Sequence, residues 1–206
     1  AWVFTSATLA LGEDFSHFTE RMGIQSVTAL TFPSPYDLRK NGLIWLPPNL
    51  PAPSDRDHTT EMLERVLPLL GKTAGGMFCL FTSHRALNNA RSWFKTRRKR
   101  LKGRPLLIQG DAPRDDLLRR FREHGDAVLL GTGSFWEGVD VRGPALSIVA
   151  IDKLPFASPA DPLMMARLEF IRRKGGNGFM SHQLPLAALS LKQGAGRLLR
   201  DQNDFG

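Results

Sequence analysis

The architecture of this 206-residue chain is set by the stretch MFCLFTSHRALNNARSWFKT, residues 77–96. Its first five residues form an apolar run with the length of a buried strand. From His84 onward, apolar side chains recur at spacings of three and four, which predicts an amphipathic helix over 84–96. These side chains are Ala86, Leu87, Ala90, Trp93 and Phe94. A buried strand that leads directly into a helix is the repeating unit of a parallel α/β sheet.

The same alternation continues toward the C-terminus and predicts an α/β fold. Apolar runs of strand length occupy 106–108, 127–130 and 146–151. Amphipathic segments between and after them predict helices over 113–124, 161–174 and 181–200. Strands and helices that alternate in this way predict a mostly parallel sheet with helices on both faces.

The first quarter of the chain is less regular. It predicts short strands at 3–5 and 27–32 on either side of a helix over 13–22. Six of the 14 prolines fall within 33–53, so we expect a proline-rich connection there. That connection leads to a further predicted helix near 57–67.

The composition indicates a globular chain with a polyanionic partner. Twenty-eight Lys and Arg against 20 Asp and Glu leave a net charge of +8. The single cysteine, Cys79, excludes a disulfide framework and a four-cysteine metal or iron–sulfur site within this chain. The five histidines are scattered without metal-ligand spacing, so we expect no metal site. A lone thiol, no signal pattern and a nucleic-acid-like charge favour the cytoplasm.

A basic run, RSWFKTRRKRLKGR at 91–104, accounts for the whole net charge. Such a run can hold phosphates, and we expect Arg97, Arg98, Lys99 and Arg100 to contact the phosphates of a polyanionic partner. Trp93 and Phe94 could then stack on bases. The alternative is a solvated helix end, with both aromatic rings in the core because they continue the apolar stripe. The sequence leaves both interpretations open.

Two other segments favour a phosphate-bearing ligand. The glycine-rich stretch LGTGSFWEGVDVRG, 130–143, follows a predicted strand and carries two aromatic residues that we expect to be exposed. The predicted last helix places Arg197 and Arg200 three residues apart on one face, where they could neutralise a transferred phosphoryl group. Its glycines, Gly194 and Gly196, indicate close backbone approach. The alternatives are a tight connecting loop and an ordinary basic helix end.

Taken in order, these segments resemble the second motor domain of superfamily 2 DNA helicases of the DinG/XPD iron–sulfur family, most closely the bacterial YoaA-like branch. The matching segments are TSATL (5–9) for motif III, LFTSH (80–84) for motif IV, QGD (109–111) for the next strand end, GSFWEGVD (133–140) for motif V, IDKLPFASP (151–159) for a family segment, and QGAGRLLR (193–200) for motif VI. The ordered set is far more specific than any one motif.

The resemblance implies one C-terminal RecA-like domain over 1–206, in which 1–25 carries motif III and the connection from a first motor domain. It implies an ATP-dependent helicase that steps 5′ to 3′ along single-stranded or forked DNA in repair or replication. ATP and Mg²⁺ would be held mainly by an N-terminal motor domain, and a 4Fe–4S cluster would lie in the parent protein. Both are expected upstream of Ala1, so this piece alone should be inactive. The resemblance also implies a replisome subunit as a partner and the bacterial nucleoid as the location.

Residue roles follow from the same resemblance. Arg197 and Arg200 would reach the γ-phosphate. The expected ATP-cleft residues are Gln193, Gly196, Glu137, Gly138 and Asp140; the expected DNA contacts are Thr82, Ser83, His84, Gln109 and Ser134, with 97–100 as an auxiliary contact; the expected coupling residues are Ser6 and Thr8. The rival hypothesis is a non-catalytic nucleic-acid-binding or protein-interaction module with a RecA-like fold.

Overall fold

A computed structural model of the chain describes residues 2–136, 141, 143–158, 160–201 and 204–206. The chain divides into two compact units, one formed by 1–34 with 154–193 and the other by 35–153 with 194–206. In chain order the helices and strands are α1 (Ser16–Met22), α2 (Leu38–Asn41), α3 (His58–Val66), β1 (Gly76–Leu80), α4 (His84–Arg97), β2 (Leu106–Ile108), α5 (Arg114–His124), β3 (Val128–Gly131), β4 (Leu146–Ile151), α6 (Pro162–Arg173) and α7 (Leu184–Ala195).

The four strands form one parallel sheet in the order β2-β3-β1-β4. In its register Met77 lies opposite Val128 on one side and Ile148 on the other. β1 is fully buried because it lies inside the sheet, whereas β4 is an edge strand and only partly buried. All four strand predictions from residue 76 onward are confirmed within one residue at each end.

Two cores cover the two faces of the sheet. Met77 and Cys79 of β1 join the cluster that α3 and α4 cover, and Phe78 joins the cluster that α5 covers. Alternate residues of a strand point to opposite faces, so α4 and α5 lie on opposite sides of the sheet. On the α5 side the rings of Phe78 and Phe121 pack edge to face, with their centroids 4.6 Å apart. The predicted fold class, a parallel α/β sheet with helices on both faces, is confirmed.

The helices predicted over 84–96, 113–124 and 161–174 are confirmed as α4, α5 and α6, whereas the helix predicted over 181–200 ends early, at Ala195. α4 ends one residue beyond the predicted 84–96, and its first turn is capped by Ser83, whose Oγ accepts a hydrogen bond from the Ala86 amide at 3.2 Å. α6 begins after Asp161, whose carboxylate accepts from the amides of Leu163 and Met164. α4 and α6 thus both begin where a side-chain acceptor bonds to unpaired amides of the first turn.

The strands predicted at 3–5 and 27–32 are wrong. In the described part of the chain neither segment pairs with another strand, and Val3 is 85% exposed. The helix predicted over 13–22 begins later, at Ser16. A β-branched sequence favours an extended backbone, but a strand needs a neighbour to complete its hydrogen-bond ladder. Both segments instead line a groove of about 1200 Å³ within their own unit.

Candidate functional site

The predicted site residues of motifs IV and V follow the strands of the sheet. Thr82 and Ser83 follow β1, Gln109 follows β2, Ser134 follows β3, and Asp152 follows β4. Because all strands are parallel, these residues lie at one edge, the carboxyl edge, where open α/β sheets bind ligands. His84, the first residue of α4, is exposed at the same edge.

Gln109 holds the glycine-rich loop in place. Its Oε1 accepts hydrogen bonds from the Thr132 amide at 2.6 Å and from the Thr132 hydroxyl at 3.1 Å. Ser134 is exposed, and its carbonyl accepts a bond from Arg114 Nε at 3.0 Å. The structure therefore assigns the Gln109 carbonyl to positioning the loop, while DNA contact by Gln109 and Ser134 stays a prediction.

The two aromatic residues of the glycine-rich stretch are buried, so the expectation that they are exposed is wrong. Phe135 is 1% exposed and Trp136 is 6% exposed. The Trp136 indole donates to the Phe81 carbonyl at 3.2 Å, and a Cβ at Gly194 would lie 2.9 Å from its ring. The close backbone approach predicted for the last helix is thus real at Gly194. The ATP-cleft residues Glu137, Gly138 and Asp140 lie outside the described residues.

A buried carboxylate organises the end of β1. Asp152 is 4% exposed, and its Oδ1 accepts a hydrogen bond from the Thr82 amide at 2.9 Å. Its Oδ2 is buried and has no hydrogen-bond partner among the described residues. Burial raises the pKa of this carboxyl group above its usual value. The Thr82 amide donates to Asp152, and the Ser83 Oγ accepts from the Ala86 amide, which leaves the Ser83 hydroxyl hydrogen able to donate. The predicted phosphate contacts of Thr82 and Ser83 stay predictions.

Asparagine at position 152 should stabilise the fold at neutral pH. The raised pKa means that ionisation of Asp152 costs stability as the pH rises above about 4, whereas Asp152→Asn keeps an acceptor for the Thr82 amide without the charge. We expect its melting temperature at pH 7 to exceed that of the wild type, with a smaller difference at pH 4. Asp152→Ala, which removes the acceptor, should be about 1–2 kcal/mol less stable than Asp152→Asn. An Asn effect that is independent of pH would contradict this.

The two candidate arginine fingers differ in their surroundings. α7 ends at Ala195, so the prediction that Arg197 and Arg200 share a helical face is wrong; the glycines at 194 and 196 disfavour a longer helix. Arg197 is 3% exposed and donates from Nη2 to the Trp136 carbonyl. It thereby fastens the motif VI segment to the glycine-rich loop, and its contact with a phosphate stays a prediction.

Arg200 has a fixed backbone and an open side chain. Its amide donates to Asp204 Oδ2 at 2.7 Å, and its carbonyl accepts from the Tyr36 hydroxyl at 2.9 Å. The residue is exposed, and no described residue bonds to its guanidinium. Gly196, which precedes both arginines, is exposed as well. A cation that is anchored through its backbone but unpaired at its head is suited to a ligand brought by another domain.

Motifs III and VI meet within the unit formed by 1–34 and 154–193. Gln193 Nε2 donates to Thr8 Oγ1 at 3.2 Å, and that hydroxyl lies 3.2 Å from Ser6 Oγ. The structure therefore brings the two predicted coupling residues to a predicted ATP-cleft residue that is 185 positions away from Thr8 in sequence.

The basic run is partly neutralised in space, although no acid lies near it in sequence. Glu64 of α3 pairs with Arg100 and with Arg97, the latter at 3.7 Å, and Arg91 pairs with Asp111 at 2.6 Å. Trp93 and Phe94 belong to the core, so the interpretation that they stack on bases is wrong. The guanidiniums of Arg97 and Arg100 lie 5.1 and 5.6 Å from the Trp93 ring centroid.

The last member of the run is structural, which sequence analysis missed. The Arg104 guanidinium donates to four backbone carbonyls at 2.9–3.0 Å. These carbonyls belong to Leu70, Thr73, Gly75 and Asp126. By contrast, Lys95, Arg98, Lys99 and Lys102 form no ion pair with any residue that the structure describes.

This chain does not fit an iron–sulfur cluster. Its single thiol, Cys79, is fully buried in β1, and burial raises its pKa to about 12, whereas cluster ligands are thiolates. Over the described ranges, no three or more metal-ligating side chains come together. None of the described helices combines the length and the apolar character needed to cross a membrane.

Comparison with known proteins identifies relatives over the whole chain. A model of the helicase C-terminal domain matches residues 66–206. The chain is 43% identical over its full length to the ATP-dependent DNA helicase YoaA of Escherichia coli K12, covering 32% of that protein. It is 40% identical over 99% of its length to the ATP-dependent helicase DinG of Mycobacterium tuberculosis H37Rv, covering 31% of it. The chain thus spans about a third of these relatives.

A solved structure shows the same fold at low sequence identity. The S. tokodaii Xpd4 structure matches with a TM-score of 0.54 and 18% identity, over 80% of this chain and 32% of that one. The likeness confirms the predicted RecA-like fold class.

Proposed function

The chain belongs to the family of helicase C-terminal domains, and on this premise we propose that it is the C-terminal motor domain of an ATP-dependent 5′–3′ DNA helicase. Its task is to complete an ATP site that an N-terminal motor domain of the same protein holds, and to grip single-stranded or forked DNA. The parent protein acts in DNA repair or replication-fork rescue in the bacterial cytoplasm, at the nucleoid. A replisome subunit is a further proposed partner.

The observation that carries this proposal is that the Arg200 side chain is exposed while its backbone is held by hydrogen bonds. Phosphoryl transfer is catalysed mainly by placing positive charge against the transferred group, and an arginine from a second domain often supplies that charge. The Arg200 guanidinium bonds to none of the residues that the structure describes, and Asp204 and Tyr36 hold its backbone in place. ATP and Mg²⁺ would be held mainly by the N-terminal motor domain, where Mg²⁺ would supply further positive charge against the phosphates. The proposed ATP cleft also includes Gln193 and Gly196, together with Glu137, Gly138 and Asp140 of motif V.

The carboxyl edge of the sheet supports the proposed DNA contacts. His84 and Ser134 are exposed there, and Thr82, Ser83 and Gln109 lie at the same edge. All five are our proposed DNA contacts. Ser6 and Thr8 would couple ATP turnover to movement, since Thr8 bonds to Gln193. We also propose that 1–206 works as one motor domain, with 1–25 as the motif III segment and 33–53 as a connection.

One preparation of the full-length protein tests the function. We expect ATP turnover that rises with single-stranded DNA, and unwinding with 5′–3′ polarity. We also expect bound iron, held by residues outside this chain. A protein that binds DNA but turns over no ATP would instead support a non-catalytic nucleic-acid-binding module. Binding of neither DNA nor ATP would support a protein-interaction module.

The free cations of the basic run should matter more for DNA binding than the paired ones. Arg98 and Lys99 form no ion pair with described residues, whereas Arg97 and Arg100 already pair with Glu64. Replacing both Arg98 and Lys99 with Gln should lower the slope of log K against log salt by about 1.4, at about 0.7 for each single-strand phosphate contact. The matched double variant, Arg97→Gln with Arg100→Gln, should change the slope less. Equal slopes for both double variants would favour the alternative interpretation, in which the basic run is a solvated helix end.

A further inference from the structure

A second pocket, none of whose lining residues belongs to a motif quoted above, lies within the unit formed by 35–153 and 194–206 and borders motif IV at Arg85. Its volume is about 490 Å³, which falls in the range of ligand-binding clefts. The lining residues come from α4 and from the start of α3 with the residue shortly before it. They are Arg56, Thr60, Arg85, Asn89, Ser92 and Trp93.

The chemistry of this pocket favours an anion. Arg56 and Arg85 are exposed, and neither guanidinium bonds to any residue in the described part of the chain. The lining includes no carboxylate, and Asn89 and the Ser92 hydroxyl add neutral hydrogen-bond donors, whereas the Thr60 hydroxyl already donates to the Asp57 carbonyl at 2.9 Å. The nearby Asp55 carboxylate is engaged with the Ala52 amide at 3.1 Å. Two unpaired guanidiniums beside neutral donors match the oxygen atoms of phosphate groups.

The position of the pocket favours an extended polyanion over a compact one. Arg85, Asn89 and Ser92 lie at positions i, i+4 and i+7 of α4, which share one helical face. Arg85 stands in the first turn, at the carboxyl edge of the sheet. At the other end of the pocket is Trp93, whose ring lies beside the guanidinium of Arg97. From Arg85 to Arg97 the helix rises about 18 Å, and the cation at its far end, Arg97, is paired with Glu64.

We propose that this pocket binds phosphates of a DNA strand, so that the strand runs along α4 from the carboxyl edge of the sheet toward the basic run. Arg56 and Arg85 are the phosphate ligands, and Asn89 and Ser92 add hydrogen bonds. The proposal rests on the proposed DNA-binding function and adds a site that none of the motifs includes.

The test is the salt dependence of DNA binding by the full-length protein. The double variant Arg56→Gln with Arg85→Gln should bind a single-stranded oligonucleotide more weakly at low salt. Its log–log salt slope should fall by about 1.4, which corresponds to two lost phosphate contacts. The matched control is Arg119→Gln with Arg120→Gln on α5, which removes the same charge from the opposite face of the sheet. That control should keep the wild-type slope.

Two further measurements separate the outcomes. Ser92→Glu places a negative charge in the pocket without touching either arginine, and it should also weaken DNA binding, even if the double Arg variant fails to fold. Calorimetry with inorganic tripolyphosphate tests for a free polyphosphate ligand. The proposal would be overturned in favour of a free polyphosphate if the wild type bound tripolyphosphate tightly, the double Arg variant lost that binding, and the salt slope for DNA stayed the same in both.

The failure of this proposal is distinct from the failure of the proposed function. The pocket is not a DNA site if the double Arg variant keeps the wild-type salt slope and Ser92→Glu binds DNA as tightly as the wild type. In that case, salt-dependent DNA binding by the wild-type protein would still support the proposed helicase function. A wild-type protein that binds no DNA would overturn both.

Discussion

Replacing Arg200 with alanine in the full-length protein should lower DNA-stimulated ATP turnover by about 10³-fold, the usual effect of losing an arginine finger. Nucleotide affinity should stay near the wild-type value, because the proposed role of Arg200 is to stabilise charge that develops during transfer. The guanidinium has no bond to any described residue, so its loss should leave the fold intact. Steady-state turnover with saturating single-stranded DNA, alongside titration of a fluorescent ATP analogue, measures the two effects separately.

Three control variants sharpen this prediction. Arg200→Lys should recover little, because an ammonium group cannot reproduce the planar fork of donors. Arg173→Ala, an exposed arginine of α6 paired with Glu169, should leave turnover unchanged. Arg197→Ala should lower the melting temperature, because it leaves the Trp136 carbonyl without its buried donor. Near-normal turnover in Arg200→Ala would remove the arginine-finger role from this residue.

The fold from residue 76 onward was predictable because its signals are local. The run at 77–81 and the stripe from Ala86 to Phe94 each report burial within a few residues, and the structure confirms both. The segments 3–5 and 27–32 carry an equally strand-like composition. Whether they form strands depends on a pairing partner elsewhere in the chain, and composition contains no information about that partner.

The site was only partly predictable for the same reason. Motif order placed Thr82, Gln109 and Ser134 at strand ends, and the parallel sheet brings them to one edge. Asp152 was missed as a partner of Thr82 because 70 positions separate them. The available signal was an acid directly after the apolar run 146–151. The pairing of Glu64 with Arg100 could not be predicted either, since it joins α3 to the segment after α4 across 36 positions.

The largest stability effect should come from Arg104, the only member of the basic run shown to bind four backbone carbonyls. Arg104→Ala should lower local stability by about 3 kcal/mol, because it leaves partly buried carbonyl groups without a charged donor. The loss should concentrate where those carbonyls lie, in 68–76 and in the turn before β3. Hydrogen exchange measured on peptides from these two segments checks the prediction in the full-length protein.

Comparison with Arg98 distinguishes a structural arginine from a solvated one. Arg98→Ala removes the same charge from the same run, but its side chain is exposed and unpaired among the described residues, so we expect a change within about 0.5 kcal/mol. Arg104→Lys should fall between the two, since one ammonium cannot reach all four carbonyls at once. DNA affinity should follow the opposite order, with a larger loss for Arg98→Ala than for Arg104→Lys. Equal exchange protection in Arg104→Ala and Arg98→Ala would show that the four hydrogen bonds contribute no stability.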